Sequence, residues 1–176
     1  NGTGSASANG LIMKAIFRSG VPVVGKNYFP SNIQGMPTWY EIRVTRDNHR
    51  CRAAAVDIMV ALNAETYARD LQEVCSGGYF IYDATWPRAA LLKRDDITVI
   101  GVPLARLCNE NFQGVRTRIL MKNICYAGVL AALCDLDLEV IRGLLAETYA
   151  RKPQMVDSNM KAIQLGYEYA KEHFMC

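Results

Sequence analysis

Short β-branched runs alternate with helical patterns along this chain, and that alternation restricts the fold more than any other feature. Val21–Val24, Trp39–Thr45, Val56–Leu62, Tyr79–Asp83 and Ile97–Val102 read as strands, with helical stretches before, between and after them. Such a pattern predicts an α/β layer fold. The last three runs are apolar on both faces, as strands are when helices cover a sheet on both sides. A mostly parallel, Rossmann-like sheet with helices on both faces is therefore expected.

The first helix is predicted over Ser5 to Ser19, with Ile12 and Ile16 on one face, Lys14 and Arg18 on another, and Gly20 as its stop. Three helices are expected to close the chain: Val115–Cys134, a second one capped by Asp137, and a third from Pro153 to about His173. The third carries Val156, Met160, Ile163, Tyr167, Ala170 and Phe174 at alternating spacings of four and three. That stripe buries one face, either on the same domain or as a seam to another subunit.

With 176 residues, 51% of them hydrophobic, the chain can enclose one full core, and residues 1–176 are expected to form a single domain. The formal charge of +3 comes from scattered residues, with no basic block to match a row of phosphates, so no nucleic-acid partner is expected. The most apolar stretch, Ile119 to Cys134, is too short to span a bilayer and carries Lys122 and Asn123. It reads as a buried helix, and no membrane segment is expected. Without a recognisable secretory signal at its start, the default location is cytoplasmic. Cys51, Cys75, Cys108, Cys125, Cys134 and Cys176 form no C-x-x-C pair and are expected to be free thiols, and with only His49 and His173 to add, no metal site is expected.

The opening Asn1-Gly2-Thr3-Gly4-Ser5 at a helix start is the clearest anion-site candidate. Glycines let the backbone approach a phosphate, and the helix N-terminus offers free N–H groups. The competing reading is an ordinary tight turn. A dinucleotide fingerprint would want a third glycine where Ser7 stands, and an acid about twenty residues on, where the chain has Gly25-Lys26-Asn27. Lys26 instead suits an extra phosphate, such as the 3′-phosphate of coenzyme A, or is simply a surface lysine. Because a glycine turn of a βα unit follows a strand, the chain reads as a fragment whose preceding strand is not included.

Asn27 to Tyr40 mixes aromatics, amides and turn residues without a single charge, and reads as a binding or interface loop, or as a loop folded onto its own core. Asp83 ends a strand at the presumed carboxyl edge of the sheet, where ligands of open α/β sheets bind, although capping the next turn is its plainer role. Asn109, Asn111, Gln113 and Arg116 surround the turn before the long helix and read as its anchors. No Ser-His-Asp or Cys-His set, no Walker lysine loop and no thiamine-diphosphate magnesium motif is present, so no residue is assigned a catalytic role.

Four segments carry a family resemblance: Asn1-Gly-Thr-Gly-Ser-Ala-Ser-Ala-Asn-Gly10, Phe29-Pro-Ser-Asn-Ile-Gln-Gly35-Met-Pro-Thr-Trp-Tyr-Glu-Ile-Arg43, Ser76-Gly-Gly-Tyr79, and Gln164-Leu-Gly-Tyr167 through His173-Phe174. Together they resemble the N-terminal, gamma-type domain of the alpha subunit of 2-oxoglutarate:ferredoxin oxidoreductases. The resemblance implies a pyruvate-ferredoxin oxidoreductase domain III, or gamma-subunit, type of fold. It implies a multi-subunit complex that converts a 2-oxoacid, 2-oxoglutarate being the expected one, and coenzyme A to acyl-CoA and carbon dioxide while reducing ferredoxin. Thiamine diphosphate, magnesium and an iron–sulfur cluster would sit elsewhere in that complex, and this domain would hold no cofactor tightly. Its implied partners are the remainder of the alpha subunit, the beta subunit and, through the complex, ferredoxin, with homo-oligomerisation left open. Gly2, Thr3, Gly4, Ser5, Lys26, Asn27, Ser31, Asn32 and Gln34 are the candidate surface toward coenzyme A. The alternatives are a stand-alone nucleotide-binding module and a purely structural interaction module.

Overall fold

The computed structural model describes residues 4–28, 37–47, 49, 51–86, 88 and 92–174. The chain divides into two compact units, one made of Asn1–Cys51 and Leu107–Cys176 and the other of Arg52–Arg106.

In the first unit, helix α1 (Ser5–Arg18) buries Ala8, Leu11, Ile12 and Ala15 at helical spacing. It ends as predicted: the Gly20 N–H returns to the Phe17 carbonyl at 3.0 Å, and Gly20 takes a φ of 82°, which glycine reaches without a steric penalty. A hairpin follows, with β1 (Val23–Tyr28) antiparallel to β2 (Trp39–Val44). The expectation of a mostly parallel sheet therefore stops short of these two strands, which form a separate two-stranded sheet. β1 also runs past Val24 through Gly25-Lys26-Asn27. Those residues have poor strand propensity, but pairing along the whole of β2 overrides it. At Gly25 the backbone is covered by the Tyr40 ring, and an added Cβ would meet Met13 Sδ and Tyr40 Oη at 2.5 Å each.

The three closing helices are α4 (Val115–Leu133), α5 (Leu138–Thr148) and α6 (Pro153–Phe174), and Asp137 caps α5 by accepting from the Glu139 N–H at 2.8 Å. α4 is buried all round from Asn123 to Val129, in agreement with its uniform apolarity. Its main partner is α6. Met160, Ile163 and Ala170 of the apolar stripe are buried, whereas Phe174 is exposed. Small residues let the two helices approach closely, with Gly128 against the Ile163 carbonyl and Gly166 against the Cys125 carbonyl. Hydrophobic periodicity does not reveal that contact.

The second unit is an α/β layer. Strands β3 (Val56–Ala61), β4 (Val74–Asp83) and β5 (Thr98–Val102) form a parallel sheet in that order, and a 3-10 turn (Ala64–Thr66) and helix α2 (Tyr67–Glu73) cross from β3 to β4. Met59, Ala61, Phe80 and Tyr82 on one face pack with Tyr67, Leu71, Val74 and Leu92. The Tyr67 ring meets Phe80 and Tyr82 edge-on, at centroid distances of 5.8 and 6.2 Å. Ile81, Ile100 and Val102 of the other face are buried as well. Helix α3 (Leu104–Asn111) begins in this unit, and its later residues belong to the first.

β4 starts five residues earlier than predicted because Ser76-Gly77-Gly78 reads as a strand break. It is instead a bulge, where the register jumps from Val56↔Val74 to Ile58↔Tyr79. Gly77 sits at φ 79° and donates to the Asp96 carbonyl at 2.7 Å, while an added Cβ on Gly78 would meet the Asp57 carbonyl at 2.8 Å. Nearby, Arg94 donates to the Leu71 and Val74 carbonyls at 2.7 and 2.8 Å and pairs with both oxygens of Asp96. The hydrogen bond from Arg94 is the largest cause holding the Asp96 carboxyl below its ordinary range.

A carboxyl depressed in the folded state contributes stability above its unfolded pKa and loses it as pH falls through the folded value. The stability gap between wild type and Asp96→Asn in urea titrations is therefore expected to be constant near neutrality. It should close below about pH 4, the usual carboxylate range; a gap unchanged at pH 3 would show that the charge is not what Asp96 contributes.

Candidate functional site

Gly4 precedes α1 in the left-handed conformation, at φ 87° and ψ 3°, and no side chain caps the helix start. An added Cβ on Gly4 would lie 3.1 Å from Leu120 Cδ2 of α4, so conformation and space both call for glycine here. Among the described residues no side chain accepts from the N–H groups at the start of α1, and free donors at a helix N-terminus favour an anion. Gly2 and Thr3 lie outside the described residues.

The start of α1 is fastened to α4 by a contact that sequence reasoning missed. The Tyr126 hydroxyl donates to Asn9 Oδ1 at 2.9 Å and lies 3.5 Å from the Ser5 carbonyl. Burial raises the Tyr126 phenol well above its ordinary range, so it stays a neutral donor. The available signal was a tyrosine inside the most apolar helical run of the chain.

The second candidate element, Lys26 and Asn27, is exposed on β1. Val21 N–H reaches the Ile16 carbonyl at 3.4 Å and Gly25 lies against Met13, so β1 runs back along α1 in the direction of Gly4. Strand alternation puts Val24, Lys26 and Tyr28 on the hairpin face turned away from Met13, opposite Arg43, Glu41 and Trp39 in register. The Lys26 ammonium stands 5.0 Å from the centroid of the Tyr28 ring. Ser31, Asn32 and Gln34, with most of the uncharged loop, lie outside the described residues; the ends of that stretch, Asn27-Tyr28 and Trp39-Tyr40, are paired hairpin strands.

Asp83 is buried at the carboxyl end of β4, and the bonds its Oδ1 makes tie the following turn to α3. Its Oδ1 accepts from the Thr85 N–H at 3.1 Å, the Thr85 hydroxyl at 2.6 Å and the Ala105 N–H at 3.3 Å, while Thr85 Oγ1 accepts from the Arg106 N–H at 3.1 Å. The pair therefore caps both the turn after β4 and the first turn of α3. Burial first, and then the charge of Asp83, raise the Tyr67 phenol. Of the four residues expected to anchor the turn before α4, Asn111 does so: its side chain donates to the Leu107 carbonyl, and its own carbonyl accepts from Lys161, both at 3.0 Å. Arg118 holds the Phe112 carbonyl at 2.8 Å. Asn109, Gln113 and Arg116 are exposed.

Among the described residues, Cys51, Cys75, Cys108, Cys125 and Cys134 form no disulfide with one another. Among the described residues no three His, Cys, Asp or Glu side chains are grouped to hold a metal ion, so these residues do not fit a cluster or a metal-bound cofactor. No helix among them is long and apolar enough to cross a membrane.

A three-stranded parallel sheet, a separate two-stranded hairpin and closely packed helices make this a mixed α/β chain. The structure matches 2-oxoglutarate:ferredoxin oxidoreductase from Magnetococcus marinus, solved with 2-oxoglutarate, coenzyme A and succinyl-CoA bound. The TM-score is 0.85 at 21% identity, over 100% of this chain and 30% of that one. It also matches the gamma subunit of a keto/oxoacid ferredoxin oxidoreductase from Geobacter sulfurreducens, with a TM-score of 0.72 at 18% identity over 98% and 94% of the two chains.

The family model for pyruvate ferredoxin/flavodoxin oxidoreductase matches residues 1–169, and the chain belongs to that family. Subunit alpha of 2-oxoacid:ferredoxin oxidoreductase 2 from Aeropyrum pernix is 25% identical over 98% of this chain and 33% of its own length. Ketoisovalerate oxidoreductase subunit VorA from Methanothermobacter thermautotrophicus is 26% identical over 66% of this chain and 23% of its own length. The chain thus spans about a third or less of the curated relatives it matches.

Proposed function

We propose that residues 1–176 act as the gamma-type domain of a thiamine-diphosphate-dependent 2-oxoacid:ferredoxin oxidoreductase, docking its subunits and helping to enclose coenzyme A. The observation that carries this reading is the match over the whole chain to a 2-oxoglutarate enzyme whose structure holds coenzyme A and succinyl-CoA. 2-Oxoglutarate is accordingly the proposed substrate, although relatives named for ketoisovalerate and pyruvate belong to the same group. The bond-making chemistry falls to other domains, with thiamine diphosphate supplying the carbanion and an iron–sulfur cluster the electron exit. This chain's contribution is the Gly4 turn with its uncapped helix start, and the Lys26-Asn27 end of β1. Gly2, Thr3, Ser5, Ser31, Asn32 and Gln34 complete the proposed surface.

The competing dinucleotide module is disfavoured by the hairpin. Where a dinucleotide fold places a parallel strand ending in an acid, this chain has an antiparallel strand carrying Lys26. Calorimetric titration separates the two readings. Coenzyme A is expected to bind saturably, and NAD, NADP and FAD not to; tight binding of a dinucleotide instead would overturn the assignment.

A further inference from the structure

The first two turns of α4 present a face that the rest of the first unit leaves open. Val115, Ile119, Lys122 and Tyr126 follow one another at spacings of four, three and four, so they form a single stripe along the helix. The far end of that stripe is packed: Tyr126 is buried, and its hydroxyl donates to Asn9 of α1 at 2.9 Å. The near end is open, with Val115 72% and Ile119 45% exposed. Two neighbouring apolar side chains left this open, on a stripe that is packed further along, have the character of an unfilled interface and not of scattered surface residues.

The charge around this face has one sign. From Asn111 to Cys134 the chain carries Arg116, Arg118 and Lys122 and no acid, and α1, whose start lies against Leu120, carries none either. Arg118 is engaged with the Phe112 carbonyl, whereas Arg116 is exposed and forms no ion pair among the described residues. The first turn of α4 has no acid to offset the partial positive charge of the helix start, which adds to the same field. We infer that this face docks an acidic, apolar segment of a partner polypeptide, whose apolar side chains seat on Val115 and Ile119 while a carboxylate pairs with Arg116. The inference rests on the subunit-docking reading above and gives it a location. A second copy of the chain does not fit, since a two-fold contact would oppose cation to cation. A lipid surface does not fit either, because two side chains bury too little apolar area to hold a helix in the interface.

The test mixes the 176-residue chain with the remainder of the alpha subunit and with the beta subunit, the two partners of the proposed function, and measures association by sedimentation. Ile119→Asp and Arg116→Glu should each weaken it by at least about tenfold, since one removes a buried apolar contact and the other reverses a paired charge. Both positions are exposed, so thermal unfolding of the free chain should not change. Arg142→Glu on α5 is the control for net charge and should associate like wild type; an equal loss there would overturn the inference. Val115→p-benzoylphenylalanine should cross-link to a partner peptide that carries Asp or Glu beside apolar residues. Cross-linking to a second copy instead, or binding to phosphatidylserine vesicles that Arg116→Glu abolishes, would assign the face to another occupant and overturn it. Association that neither Ile119→Asp nor Arg116→Glu changes would overturn this face and leave the docking reading standing. No association of the wild-type chain with either partner would sink both.

Discussion

Gly128→Ala or Gly166→Ala is expected to destabilise the chain by about 3 kcal/mol, the upper range for overpacking a close contact. An alanine inside a helix normally gains about 1 kcal/mol over glycine, so the expected sign is the reverse of the propensity rule. The reason is geometric. A Cβ on Gly128 would lie 2.0 Å from the Ile163 carbonyl oxygen, and one on Gly166 would lie 2.0 Å from that of Cys125. Both obstacles are backbone atoms, which cannot rotate aside as a side chain can, so α4 and α6 must move apart. Separation would loosen the contacts of Met160, Ile163 and Ala170, which lie in the buried face of α6.

Because either substitution separates the same pair of helices, the double variant should lose less than the sum of the two. Gly143→Ala on α5 is the control. Nothing lies within 4 Å of its added Cβ, so it should gain up to about 1 kcal/mol. Urea denaturation of the four variants checks the set, and a Gly128→Ala protein as stable as wild type would contradict the close crossing.

The second large effect is expected at Asp83. Asp83→Ala removes the acceptor for two backbone N–H groups and a hydroxyl at the end of β4 and the start of α3. Leaving a buried donor unsatisfied costs about 1–3 kcal/mol, and losing a helix cap typically about 1 kcal/mol. A loss of about 2–4 kcal/mol is therefore expected for the alanine variant on those grounds. Asp83→Asn keeps an oxygen in place and should recover most of it. If Asp83 instead serves a ligand, the two variants would melt like wild type and differ only in binding, which thermal unfolding and titration together would reveal.

How much of this was legible in advance differs from element to element. Strand–helix alternation located the five strands to within a few residues, apart from the early start of β4, and Gly20, Asp137 and Pro153 marked helix ends that the structure keeps. These signals are local, since a cap or a stop acts on backbone groups within one turn of itself. The segments at Asn1–Gly10 and Phe29–Arg43 pointed to the family that the match over residues 1–169 establishes. The face of β1 carrying Lys26 followed from alternation once the strand was placed, but Arg43 could not be joined to it before the hairpin register was known.

By itself, then, the sequence determined where the terminal helices and the approximate positions of the strands fall, which stretch is buried all round, and that the elements make an α/β fold. Only the tertiary structure decided that β1 and β2 pair antiparallel apart from the main sheet. It also decided that Ser76-Gly77-Gly78 is a bulge within a strand, and that Gly128 and Gly166 bring two helices into backbone contact. Each of these depends on a partner distant in the chain, and a partner's position supplies the pairing energy and steric limits that local propensity does not contain.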